Sequence, residues 1–171
     1  MKKILATFLS IMIIANTLLL PSNAAPTNIS TNNFEVVSEN IEYFPDGTSM
    51  TITILEEKNP LSARATSYTK TGSKNYTLKN SSRGVLWTFT LKGTFTVNTG
   101  ASATCTSTSY STSNLASGWE LDSASTYASS NKAIGDATFK HKTLFITTDT
   151  KTCHDVLTCD DNGNFSLFAS E

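Results

Sequence analysis

Residues 84–100 decide the fold and read GVLWTFTLKGTFTVNTG. Large apolar side chains occupy every second position, and threonine or other polar side chains fill most positions between them. The apolar set is Val85, Trp87, Phe89, Leu91, Phe95 and Val97, with Gly93 in phase. This alternation is typical of a β-strand with one face buried. A straight strand of this length would reach roughly 45 Å, which is unusually long, so we predict a bend or bulge at Gly93.

Weaker alternation runs through the rest of the chain. Residues 41–44 and 49–55 flank the turn sequence Pro45-Asp46-Gly47, which predicts a hairpin. Further strands are predicted at 74–79, 101–110, 119–128, 132–140, 144–149 and 152–158. No window shows convincing helical periodicity. The sequence therefore predicts an all-β fold, an antiparallel β-sandwich that is Ig-like in general architecture, with an N-terminal acidic hairpin arm.

Composition supports a small exported domain. The chain has 171 residues, of which 50 are serine or threonine and only 16% are charged. This excludes a coiled coil, and the aromatic residues argue against wholesale disorder.

Residues 1–24 read as a signal peptide, with Lys2 and Lys3 before an apolar run at 4–20 and cleavage after Ala24. An uncleaved anchor is the alternative, although that run is short and interrupted by polar residues. We predict a secreted protein with no stable membrane span after cleavage.

Charge divides the mature chain into blocks. Residues 25–57 contain six acidic residues and no basic one, whereas residues 58–119 contain seven basic residues and no acidic one. We predict an acidic arm with hairpin and linker at 25–65 and a sandwich domain at 66–171. The basic block is expected to be a solvated face or to contact the acidic arm, and the alternative is that it binds an anionic cell-wall polymer or a membrane surface. Candidate surface-binding residues are Lys70, Lys74, Tyr76, Lys79 and Arg83.

Three cysteines in an exported chain suggest one disulfide and one leftover thiol. A Cys105–Cys159 disulfide is favoured, because both residues lie in alternating segments and a turn follows Cys159. Cys153 with Cys159 is the alternative pair. The remaining thiol either dimerises the protein or is a small buried side chain.

The sequence contains no recognisable catalytic or metal site. Cys153-His154-Asp155 places possible nucleophile, base and orienter on adjacent positions of a strand, which point to opposite faces. Residues 160–164, DDNGN, lack the spacing of a calcium loop and favour a tight turn. We therefore expect no catalytic residues, no metal and no cofactor. An acidic exported chain without basic residues in register with aromatic ones is also not expected to bind nucleic acid.

Several segments resemble a group of uncharacterised small secreted proteins from clostridia and related Firmicutes. They are residues 63–74, residues 85–95, Cys105, Trp119 and residues 158–164. The resemblance implies an extracellular β fold and a Cys105–Cys159 pairing, but no activity. Cys153 departs from the pattern of that group.

Two classes of function follow. The first is a non-enzymatic secreted β-domain that binds a cell-surface or cell-wall component, either an anionic polymer or a carbohydrate. The alternatives are a secreted hydrolase with an unrecognised site and a small exported antagonistic effector.

The signal peptide gives the first testable prediction. Protein recovered from the culture medium of an expressing bacterium should begin at Ala25 when its N-terminus is sequenced, because the small residue at position 24 precedes the cut. Recovery only from membranes, with Met1 retained, would support the uncleaved anchor instead.

Overall fold

The computed structural model describes residues 33–58 and 66–166, which form nine β-strands. The strands are β1 (Phe34–Tyr43), β2 (Ser49–Glu57), β3 (Ser67–Lys79), β4 (Val85–Asn98), β5 (Ser102–Ser113), β6 (Trp119–Ser129), β7 (Lys132–Thr143), β8 (Ile146–Cys159) and β9 (Phe165–Ser166). The described part of the chain has no helix with the length and hydropathy needed to cross a membrane. The predicted signal peptide and most of the predicted linker lie outside the described residues.

The strands form two antiparallel sheets that pack face to face. The first sheet has the order β1-β2-β3-β4-β5 and the second has the order β6-β7-β8-β9. The predicted all-β antiparallel sandwich is therefore confirmed. Immunoglobulin domains also pack two antiparallel sheets but connect their strands as Greek keys. Here the chain completes the first sheet before it enters the second, so the similarity is limited to the general architecture.

This strand order separates the connections into two ends of the sandwich. Strands β1, β3, β5 and β7 finish at one end, which we call the upper end, because neighbouring strands in each sheet run in opposite directions. The upper connections are residues 44–48, 80–84, 114–118 and 144–145. The two sheets meet there through Trp87 of β4 and Trp119 of β6, whose ring centroids are 6.4 Å apart. The opposite, lower end has the remaining connections.

Strand β4 supplies the centre of the core. Its inward aromatic and aliphatic side chains are fully buried, as the alternation predicts; they are Trp87, Phe89, Leu91, Phe95 and Val97. The ring of Trp87 stacks on that of Phe139 in β7, with centroids 4.0 Å apart and 7° between the planes. The largest side chains of the first sheet therefore pack directly on the second sheet.

Gly93 lies at a close approach of the two sheets. A Cβ atom added to Gly93 would be 2.8 Å from the Cβ of Ala133 in β7, so a larger residue would push the sheets apart. The pairing of β4 with β5 shifts register between Thr94 and Phe95, directly after Gly93. The unpaired residue at this shift is Thr106 of β5, whereas β4 pairs with β3 without a break through Gly93, so the bulge lies in the partner strand and not at Gly93 as predicted.

The N-terminal hairpin is confirmed but is not an arm separate from the sandwich. Strand β2 pairs along most of its length with β3, from Ser49↔Lys79 to Glu56↔Gly72. Met50, Ile52 and Ile54 are buried in the common core. The alternation in β2 already indicated a buried face, and the structure places that face in the sandwich. The division at residue 65 therefore does not separate two packing units.

The C-terminal strands also differ in part from the prediction. The predicted strands at 144–149 and 152–158 form one continuous strand, β8, while residues 144 and 145 form a turn. The predicted turn after β8 is confirmed, because Gly163 N–H donates to the carbonyl of Asp160 at 3.0 Å and Gly163 has φ of 83°. The Asp160 carboxylate accepts the backbone N–H of Asn162 and Asn164.

The three cysteines correct the predicted disulfide framework. Cys105, Cys153 and Cys159 are free and buried, so neither the Cys105–Cys159 pair nor the Cys153–Cys159 pair is joined. The Sγ of Cys105 donates to the carbonyl of Ser107 at 3.5 Å, and that of Cys159 donates to the carbonyl of Asp160 at 3.6 Å. Each of these two thiols thus has a local acceptor. The prediction of a small buried side chain is confirmed for Cys153.

The stacked pair in the core gives a stability prediction. Phe139→Ala should lower the free energy of unfolding by about 3–5 kcal/mol, because it leaves a cavity against Trp87. Urea unfolding monitored by tryptophan fluorescence measures the loss. Tyr127→Ala, at a half-exposed position of β6, is the control and should change stability by less than about 0.5 kcal/mol. Equal losses for the two variants would contradict the assigned core.

Candidate functional site

The five predicted binding residues do not share one surface. Inward and outward positions alternate along β3, and Lys70, Lys74 and Tyr76 are in phase with the buried Leu78. Lys79 is out of phase and faces outward, and Arg83 follows in the β3–β4 turn. The predicted set therefore divides into three inward residues and two at the surface.

Lys70 neutralises part of the acidic N-terminal segment. Its Nζ is 2.5 Å from Oε1 of Glu56 in β2 and lies 5.3 Å from the ring centroid of Phe165. Both charged side chains are mostly buried. The predicted contact between the basic block and the acidic segment is confirmed at this pair, and Lys70 is not available to an outside polymer.

Lys74 forms an ion pair inside the core. Its Nζ is 3.3 Å from Oδ1 of Asp155 in β8 and donates to the carbonyl of Val156 at 3.0 Å. Asp155 is completely buried and the Lys74 side chain is 4% exposed. Burial raises the pKa of Asp155 to about 7, and the nearby Lys74 ammonium opposes this rise. The pair connects the two sheets and is inaccessible to a ligand.

Tyr76 and Cys153 surround this buried pair. The Lys74 ammonium lies 5.4 Å from the Tyr76 ring centroid, and burial, reinforced by Asp155, raises the pKa of Tyr76. Burial and then Asp155 also raise the pKa of Cys153 to about 12. A thiol with this pKa is protonated at neutral pH and is a poor nucleophile. The thiol of Cys153 is therefore held in its neutral form in the core.

Lys79 and Arg83 lie together in a groove at the upper end of the first sheet. The groove has a volume of about 440 Å³. We call it the basic groove; its side chains include Ile41, Tyr43, Ser49, Thr51, Lys79 and Arg83. Tyr43, Ser49 and Lys79 are aligned across β1, β2 and β3 by the strand register. Tyr43 is 78% exposed, so its ring is available for stacking.

The turn that presents Arg83 is held by hydrogen bonds at both sides. Asn80 N–H donates to the carbonyl of Gly84 at 2.9 Å, and Arg83 N–H donates to the carbonyl of Asn80 at 2.9 Å. The Asn80 side-chain oxygen accepts the N–H of Gly84 at 2.8 Å. Arg83 has φ of 65°, in the left-handed region that few L-residues adopt. The guanidinium is therefore carried by an ordered turn.

The polar groups of the basic groove have unused binding capacity. Within residues 33–58 and 66–166, neither Lys79 nor Arg83 is in an ion pair with an acidic side chain. The Thr51 hydroxyl is buried in the groove and has no hydrogen-bond partner there. Two cations and an exposed phenol ring suit a ligand that combines phosphate or carboxylate groups with sugar or polyol units.

A second groove crosses the outer face of the second sheet, with a volume of about 380 Å³. Ser123, Thr138 and Thr152 occupy one rung, and Ser125, Asp136 and His154 occupy another. His154 Nδ1 and Asp136 Oδ1 are 2.6 Å apart. This exposed pair was missed in the sequence, because residues 136 and 154 meet only through the register of β7 and β8.

The second groove lacks the order of groups that nucleophilic catalysis requires. On its polar rung Asp136 lies between Ser125 and His154, whereas a triad needs histidine between serine and the carboxylate. Cys153 faces the core on the other side of the sheet, and Asp155 is buried with it. The arrangement places the histidine beside a carboxylate, and the hydroxyl on its own rung, that of Ser125, lies on the far side of Asp136.

Metal-ligating side chains do not converge in the described part of the chain. No group of three or more histidine, cysteine, aspartate or glutamate residues is positioned to hold an ion there. The aspartates after β8 use their oxygens on local backbone and side-chain donors. This is consistent with the turn prediction for residues 160–164.

The chain matches no protein-family model, no curated protein and no solved structure. The choice between the two grooves therefore depends on their own residues.

The buried ion pair gives a pH prediction. The folded protein retains a proton on Asp155 up to a pKa of about 7, whereas the unfolded chain releases it near the ordinary value of 3.8. This group therefore lowers the free energy of unfolding as the pH rises from about 4 to about 7, by up to about 1 kcal/mol per pH unit. Urea unfolding across this window should show a steeper decline for the wild type than for Asp155→Asn.

Asp136→Asn is the matched control, because Asp136 is exposed at the surface of the neighbouring strand. Its pH profile should retain the decline that Asp155 causes. Parallel profiles for the wild type and Asp155→Asn would contradict the raised pKa.

Proposed function

We propose that the protein is a secreted, non-enzymatic binding domain whose basic groove holds an anionic polymer of the bacterial cell wall. The observation that supports this function is the juxtaposition of Lys79, Arg83 and the exposed Tyr43 in one groove. The cations bind phosphate groups, and the phenol ring packs on the polyol or sugar between them. Export with cleavage after Ala24 is part of the proposal and brings the domain to such a polymer.

The geometry of the groove favours an extended ligand over a compact one. The rung from Tyr43 to Lys79 crosses three strands, a span of about 10 Å at the usual strand spacing. The groove is lined by side chains from β1, β2 and the β3–β4 turn. A chain molecule with repeating phosphates can contact Arg83 and Lys79 through successive groups. A single small anion would occupy only one of these contacts.

The binding test uses teichoic acid as the probe. Lys79→Gln with Arg83→Gln should weaken binding about tenfold or more, because two charge-assisted contacts are lost. Isothermal titration calorimetry measures the affinity, and wild-type binding should weaken as salt is added. Lys92→Gln with Lys132→Gln is the control, because it removes the same charge elsewhere. Equal weakening by both double variants, or binding unaffected by salt, would contradict the proposal.

A hydrolase is the second candidate, because His154 and Asp136 form a close pair in the other groove. The proposal of a non-enzymatic domain predicts that alanine at both His141 and His154 leaves polymer binding intact. Loss of a measured hydrolytic activity in that variant would favour the hydrolase. The absence of a nucleophile next to His154 on its rung makes this the weaker candidate.

A further inference from the structure

The β7–β8 turn exposes three consecutive apolar side chains. Leu144 is 86% exposed, Phe145 is 99% exposed and Ile146 is 68% exposed. We call these three residues the apolar tip. Full burial of such side chains is normally favourable by about 1.5–3 kcal/mol each. The isolated fold therefore leaves this stabilisation unused.

The backbone of the apolar tip is also unfavourable. Thr143 pairs with Ile146, so Leu144 and Phe145 form a two-residue hairpin turn. Their φ angles are 51° and 70°, as in a type I′ turn, whose central positions favour Asn-Gly. Leucine and phenylalanine are strained there, and neither side chain contributes to the core. Residues that are unfavourable both in backbone and in solvation point to an interaction outside the fold.

Other exposed apolar residues lie at the same end of the sandwich. The apolar tip shares the upper end with the β1–β2, β3–β4 and β5–β6 connections. These connections and their flanking positions add Tyr43, Phe44, Val85 and Leu115 to the exposed hydrophobic set. At the lower end, the described connections are polar, such as Ser130-Asn131 and residues 160–164. The upper connections therefore carry more exposed apolar side chains than the described lower connections, although Val36, Val37 and Tyr127 are also exposed on strands toward the lower end.

We propose that the upper end docks on a lipid bilayer and that the apolar tip inserts between the lipid headgroups. The tip is convex, so a protein partner would need a matching pocket, whereas a bilayer accepts a projecting side chain without one. The final two rungs of the hairpin extend roughly 7–10 Å, which matches the depth of about 5–10 Å reached by interfacial segments.

The charges around the tip suit this position. Lys140 is paired with Asp122 and Lys142 is paired with Glu120, so the cations nearest the tip are neutralised. Lys79 and Arg83, at the same end, add positive charge that attracts an anionic lipid surface from within a Debye length. Insertion of the tip is inferred from its exposed apolar side chains and its strained backbone. It does not depend on the proposed polymer binding.

The test separates membrane binding from folding by using the preferred turn sequence. Leu144→Asn with Phe145→Gly removes the apolar side chains and the strain together. The variant should be at least as stable as the wild type in thermal unfolding. It should also lose about tenfold or more of its partitioning onto vesicles of phosphatidylcholine and phosphatidylglycerol. Co-sedimentation of the protein recovered from culture medium measures the partitioning.

The control variant is Tyr127→Ser, which removes a half-exposed aromatic side chain from β6 near the lower end. It should retain vesicle binding. A wild type that does not sediment with vesicles, or a turn variant that sediments equally well, would overturn the proposal. Size-exclusion chromatography tests whether a second copy of the chain covers the apolar tip. The proposal would also be overturned if the wild type were a dimer, the turn variant were a monomer and neither bound vesicles.

Two further combinations distinguish this proposal from the proposed function. The turn variant should bind teichoic acid as the wild type does. Lys79→Gln with Arg83→Gln should still bind neutral phosphatidylcholine vesicles through the apolar tip. If polymer binding fails in the wild type while vesicle binding depends on Leu144 and Phe145, only the function of the basic groove is refuted.

Discussion

The structure depends on the fit between large side chains of β4 and small side chains of β7. Leu91 and Phe89 face Gly135, where an added Cβ would lie 3.0 Å from a methyl group of Leu91. One step along, Gly93 faces Ala133, so both residues are small there, and the ring of Phe95 lies beside the glycine. Small residues at these positions let the two sheets approach closely. Stacking of Trp87 on Phe139 then aligns the two sheets at the upper end.

Among the residues that the structure describes, the ion pair of Lys74 with Asp155 is the one with both side chains almost completely buried. Lys74 and Asp155 connect β3 to β8, next to aromatic and thiol groups rather than water. A buried pair is weak support for stability, because the cost of desolvation offsets the attraction. The more specific effect of the buried pair is on the register of β3 and β8. A slip of one residue in either strand would move one charge to the outer face and leave the other alone in the core.

Much of this fold is predictable from the alternation of residue types, and the limits are physical. The pattern in β4 identified the buried face residue by residue, and Pro45-Asp46-Gly47 identified the first hairpin. The same alternation puts Lys70 and Lys74 in phase with the buried Leu78, whereas the charge of lysine predicts a surface position. The cysteines could not be predicted in this way, because a disulfide depends on distances between sheets. The basic groove and the His154–Asp136 pair likewise arise from register between strands.

The basic groove and the apolar tip keep a fixed position relative to each other, because one side chain links the β1–β2 turn beside the groove to β8, which carries the tip. Lys151 of β8 reaches Oδ2 of Asp46 in the β1–β2 turn at 2.8 Å, and lies 6.0 Å from the ring centroid of Phe44. The bond to Lys151, followed by those to Thr48, holds the pKa of Asp46 well below its ordinary value. The turn beside the basic groove is thus attached to the strand that carries the apolar tip. A domain bound to a polymer through the groove would present the tip in a constant direction, and binding at one surface would raise the effective concentration at the other. Such an effect requires that the basic groove and the apolar tip can reach their ligands at the same time. The position of both surfaces at the upper end satisfies this geometric requirement.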